Sequence, residues 1–255
     1  MINVSKAITS SIIAMLTGNF RLADKTSIVI VGMQHSKRYG ACEGASLDAG
    51  RMLGVLSKYG KPVVLQDRQA TKAAVTTALQ NAVQNNDLTI FFYSGHGGSD
   101  PIGDVSNETD GRNEYLCLYD TYMLDNEIWS IVSQSKGRVF MIFDCCHSET
   151  MFRSPAIRFD DIRDEQNLRI QYGLEPRGKK NNVLVWSGCP DSSFSYGDNK
   201  TGGVLTSAII STLKKFPKIA TYNQIWSAMT KVVNLKQQMP KRTIIGKGFG
   251  GPVFR

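Results

Sequence analysis

The chain has 255 residues, a formal charge of +8 at neutral pH, 42% hydrophobic and 20% charged residues. That length supplies a full core for one domain, and the composition is that of a globular protein rather than a disordered one. No apolar run is long enough to span a bilayer, the five cysteines lack the spacing of a disulfide framework, and the basic residues lack the interleaved aromatics of a nucleic-acid surface. A cytoplasmic monomer in a reducing setting is the expectation, with no specific nucleic acid and no membrane span among its partners.

At the N-terminus, Ile8 to Leu16 is hydroxyl-rich and fits an amphipathic helix better than a signal peptide. Ser27 to Met33 reads as a buried strand, and Ala45 to Tyr59 as a helix closed by Gly60. Pro62 to Leu65 is the next strand, Thr71 to Val83 a second helix, and Thr89 to Tyr93 a third strand. Gly97 to Gly111 is rich in Gly and Asp and predicts a loop, and Tyr115 to Tyr119 a small hairpin. A short helix follows from Asp125 to Val132, then a strand from Arg138 to Phe143. The charged stretch from Glu149 to Asn182 has little apolar periodicity. Regular pattern returns with a strand at Val183 to Ser187, helices at Gly203 to Leu213 and Tyr222 to Val233, and a last strand at Arg242 to Ile245. Alternating β and α units of this size predict a mostly parallel sheet covered by helices on both faces, with its site beyond the carboxyl ends of the strands.

Two apolar runs break abruptly into reactive residues at such ends. Phe91-Phe92-Tyr93-Ser94-Gly95-His96-Gly97 delivers an imidazole, and Phe140-Met141-Ile142-Phe143-Asp144-Cys145-Cys146-His147 delivers thiols. A thiol becomes a nucleophile near neutral pH when an imidazole accepts its proton, and small residues at a turn leave backbone N–H groups for the oxyanion. Side chains alternate along a strand, so one of Cys145 and Cys146 faces the cleft, and periodicity does not say which. One competing reading makes both cysteines buried hydrophobes. Another, a metal site from Cys145, Cys146, His147 and His96, lacks the C-x-x-C spacing of zinc ligands.

The pair Ser94-Gly95-His96-Gly97 and Asp144-Cys145-Cys146-His147-Ser148 resembles the metacaspase branch of the caspase-like cysteine peptidases. The similarity extends to Cys42-Glu43-Gly44-Ala45-Ser46-Leu47-Asp48-Ala49, to Asp110 through Leu116 with Asp120 and Leu124 through Ile128, and to Ser187 through Asp191 with Gly203 through Thr206. The resemblance implies an α/β caspase-like (caspase-hemoglobinase) fold, a mostly parallel six-stranded sheet with helices on both faces. It implies an N-terminal segment, 1–26, and a peptidase domain, 27–255, made of a large part (27–152), a basic linker (153–181) and a small part (182–255). It further implies Cys146 as nucleophile, His96 as its partner and an S1 pocket lined by Asp48, Ser94 and Asp144, while the small residues at the turns make the N–H groups of Gly97 and Cys146 the oxyanion candidates. Paired carboxylates there would select Arg or Lys in a polypeptide substrate.

Two departures qualify the resemblance. Glu149 stands where relatives commonly have Gly, and the positions matching calcium ligands are Asn113, Asp125, Asn126 and Arg153, so no cofactor is required and calcium dependence is expected to be weak or absent. Arg153, Arg158, Arg163, Arg169, Arg177, Lys179 and Lys180 in the linker offer sites for self-cleavage. The rivals are a catalytically silent caspase-like scaffold and a basic adaptor for anionic surfaces.

Overall fold

In the computed structural model, the described residues are 25–84, 86–103, 112–145, 182–188, 197–215, 221–234, 240–246 and 249. In chain order they form β1 (Thr26–Gly32), α1 (Ala45–Leu56), β2 (Pro62–Gln66), α2 (Lys72–Gln84), β3 (Leu88–Ser94), β4 (Gly97–Asp100), β5 (Asn113–Cys117) and β6 (Tyr122–Leu124). Then come α3 (Asp125–Val132), β7 (Arg138–Asp144), β8 (Asn182–Ser187), β9 (Gly197–Asp198), β10 (Gly202–Gly203), α4 (Val204–Lys215), α5 (Tyr222–Asn234) and β11 (Lys241–Ile245).

Strand alternation divides the apolar residues between two cores. Val29, Val31, Phe91, Tyr93, Met141, Phe143 and Val185 face one side, where α2 and α3 pack through Val75, Leu79, Ile128 and Val132. Ile28, Ile30, Ile90, Phe92, Phe140, Ile142 and Trp186 face the other, against Met52 of α1, Ile209 of α4 and Met229 of α5. The sheet order is β11-β8-β7-β3-β1-β2. Its ladders are parallel except β11 on β8, as the alternating pattern predicts. Register places Gly32 beside Ser94 and Ser94 beside Asp144, so three strands end level.

The loop expected from Gly97 to Gly111 begins instead as a strand. Residues 97–100 pair antiparallel with β5, and β5 pairs with β6, making a three-stranded sheet. The Tyr115 ring occupies the space a Cβ at Gly98 would need, and Tyr115 Oη donates to Asp100 Oδ2 at 2.6 Å. A turn-like composition therefore serves cross-strand packing. The short β9–β10 ladder was not expected either, and the helix read from Gly203 starts at Val204.

Candidate active site

His96 leaves the sheet just after β3, half-buried, and its main chain is pinned from below. The His96 carbonyl accepts from Tyr93 Oη at 2.7 Å and from Cys117 N at 3.0 Å. Cys117 O also lies 2.7 Å from Tyr93 Oη, so the single hydroxyl proton is shared between the two carbonyls. Burial holds this phenol well above its ordinary pKa, so it remains a donor. Gly95 makes the arrangement possible, since a Cβ there would lie 2.5 Å from Tyr93 Oη and 2.9 Å from Met33 Cβ. Gly97, the expected oxyanion donor, opens β4 opposite Leu116.

Beside His96 the fold assembles the three residues expected in the S1 pocket. Ser94 Oγ donates to Asp48 Oδ2 at 2.9 Å, and Ser94 and Asp144 are register partners on β3 and β7. Asp48 is 1% exposed and Asp144 3%, so both carboxylates lie beneath the surface. The segment from β10 into α4 covers them. Gly203 N donates to both Asp48 oxygens, at 3.0 and 2.9 Å, while Thr206 N and Oγ1 donate to Asp144 Oδ2 at 2.9 and 2.8 Å. Gly203 has to be glycine here, because a Cβ would run into both carboxylates, and Gly202 adopts φ +68° directly above Asp48. Arg51 adds a cation 4.0 Å from Asp48 Oδ1. Burial, followed by the Asp144 charge, pushes the Asp48 carboxyl up to about 7, against the opposing bonds from Gly203 and Ser94.

Cys145 is fully buried in the core shared with α2 and α3. Cys146, Glu149 and all seven basic linker residues lie outside the described residues, as does the N-terminal segment through residue 24. The three described calcium candidates do meet at the start of α3. Asn126 Nδ2 donates to Asn113 Oδ1 at 2.9 Å, and Asn126 N donates to Asp125 Oδ1 at 2.7 Å. Asn113 Nδ2 donates to Ile102 O at 2.6 Å. One carboxylate with two amides does not fit the anionic, oxygen-rich set that calcium prefers. Among the described residues no three His, Cys, Asp or Glu side chains gather as a metal site.

Sequence reasoning missed Thr206, Gly202 and Arg51 as neighbours of the carboxylates, and Tyr93 as the support of His96. A Gly-Gly pair immediately before an apolar helix was the available signal for the first group, marking a close backbone approach.

Residues 26–245 match the family model for the caspase domain. Among curated proteins, Metacaspase-1 of Emericella nidulans is 30% identical over 220 residues, covering 78% of this chain and 51% of the relative. Metacaspase-1A of Aspergillus niger is 25% identical over 280 residues, covering 85% and 69%. The chain thus spans about half to two thirds of these relatives' length. Among solved structures, a Geobacter sulfurreducens protein superposes with a TM-score of 0.66 at 23% identity, covering 88% of this chain and 94% of the other. Caspase-1 from Spodoptera frugiperda does so with a TM-score of 0.62 at 12% identity, covering 87% and 86%. Among the described residues no helix is long and apolar enough to cross a membrane.

Proposed function

The chain belongs to the caspase-domain family, on its metacaspase-like side, and on that premise we propose that it is a cysteine endopeptidase cutting after Arg or Lys. Cys146 is the nucleophile in this reading and His96 its proton acceptor. The observation that carries it is the level ending of β3 and β7. His96 and Cys146 each follow a register pair, Ser94 and Asp144, by two residues. Cys145 is committed to the core, which leaves its neighbour for chemistry.

The Cys146 thiolate attacks the scissile carbonyl carbon, and the N–H groups of Gly97 and Cys146 take the oxyanion. His96 passes its proton to the departing amine. Water, activated by the same imidazole, then hydrolyses the acyl-enzyme. Asp48 and Asp144, with Ser94 between them, supply the negative charge that favours a guanidinium or ammonium at the cut position. The same preference makes the basic residues between Arg153 and Lys180 candidates for self-cleavage; no cofactor is required, and calcium dependence is weak or absent.

The test is hydrolysis of Arg, Lys and Asp peptides with a calcium chelator present, together with the intact mass of wild type and Cys146→Ala. Cleavage of the first two peptides, with loss of at least about a thousandfold in Cys146→Ala and His96→Ala, is the expected result. Undiminished activity in Cys146→Ala would sink the assignment. The burial of both carboxylates under Gly203 and Thr206 favours a second reading, a catalytically silent scaffold. A thiol-directed probe carrying Arg separates the two, since a silent site does not become labelled.

A further inference from the structure

A cleft of about 520 Å³ opens at the carboxyl edge of the sheet, beyond the ends of β1 and β2. His35 and Lys37 line it from the segment after β1, Asp67 and Arg68 from the turn after β2, and Tyr119 from the turn after β5. Ligands of parallel sheets bind along this edge.

The walls of the cleft are held in place. Asp67 has φ 45°, a left-handed conformation that side chains other than glycine rarely adopt. Its Oδ1 accepts from the N–H groups of Gln34 at 2.9 Å and His35 at 2.8 Å, which ties the two turns together. Such outliers persist where surrounding bonds over-determine them, often at ligand sites. Across the cleft, Tyr119 N donates to Ala70 O and Lys37 N donates to Tyr119 O, each at 3.0 Å. The Lys37 ammonium lies 5.1 Å from the Tyr119 ring centroid.

Lys37 and Arg68 are exposed basic side chains, and the carboxylate lining the cleft, Asp67, has one oxygen already occupied by two N–H groups. A carboxylate is the complementary ligand. The cleft is also linked to the candidate catalytic histidine, because Cys117, two residues before Tyr119, donates to His96 O. β1 is one strand and β2 two strands removed from β3. In the peptidase reading the scissile bond lies between the ends of β3 and β7, half a strand further off, so at about 4.8 Å per strand the cleft is about 7 to 12 Å from it, or about two to four residues of extended chain at about 3.4 Å each.

We propose that this cleft is a subsite for an acidic side chain of the polypeptide substrate, two to four residues from the cut. The inference rests on the peptidase reading above. The experiment uses peptides with Arg at the cut position and either Glu or Gln at each of the second to fourth places on both sides. At one of these places Glu raises kcat/KM about fivefold over Gln at low salt, the effect of an exposed ion pair. In Lys37→Glu/Arg68→Glu the ratio falls below one and Lys becomes preferred there, while Arg68→Gln alone gives an intermediate ratio. A ratio of one at every place in wild type, or a ratio untouched by the double variant, overturns the subsite and leaves the peptidase reading standing. Failure of wild type to cut any of the peptides removes both.

Discussion

Asp48 is a carboxylate in a place that resists its charge. In the unfolded chain it titrates near 3.8, and in the fold its value is raised to about 7, chiefly by burial. Between those values the folded protein holds a proton that the unfolded chain has released. The contribution of this residue to stability therefore falls as pH rises from about 4 to about 7, and the loss is complete above that. Asp48→Asn removes the dependence. Its stability relative to wild type should rise by about 3 kcal/mol between pH 4.5 and pH 8, read from urea unfolding at the two values. In the proposed reaction an arriving guanidinium binds the anion, so KM for an Arg peptide should fall between pH 6 and pH 8. A KM that stays flat over that range would detach Asp48 from substrate binding. The resemblance made Asp48, Ser94 and Asp144 legible as a group. Their covering was not, because Gly203 comes from 155 residues beyond Asp48 and Thr206 from 62 beyond Asp144. Hydrogen bonds that distant leave no local period to read.

Elements differ in legibility for a physical reason. β1, β3, β7 and β8 are buried on both faces and read as nearly continuous apolar runs. β4 is Gly97-Gly98-Ser99-Asp100, a sequence with the signature of a turn, and its partner β5 makes it a strand. What β3 and β5 achieve together is the fixing of His96, through Tyr93 Oη and Cys117 N on one carbonyl oxygen. Tyr93→Phe deletes the proton that hydroxyl shares between the carbonyls of His96 and Cys117 in a fully buried site, at a cost of about 1–3 kcal/mol in thermal or urea unfolding. Because His96 sits on the released strand end, kcat should fall more than KM rises. The reverse split would show that the tyrosine serves substrate binding instead.

At the level of the whole molecule, the sheet is the part the alternating pattern announced, with Ser94 and Asp144 level at its carboxyl edge. The pattern had no means of ordering the strands. β7 and β8, separated in sequence by residues 145–181, are immediate parallel neighbours with Arg138 through Phe143 in register with Asn182 through Ser187. That ladder joins the portion carrying His96 to the portion carrying Thr206. Phe140 and Trp186 reinforce it with an edge-to-face contact at 4.7 Å. A protein nicked in the basic linker should consequently migrate as one particle in gel filtration while resolving into two bands under denaturing electrophoresis. Separate elution of the pieces would mean the seam is weaker than its central strands imply. An intact seam would make scission between Arg153 and Lys180 a change of connectivity without loss of parts, creating two new termini while leaving the sheet whole.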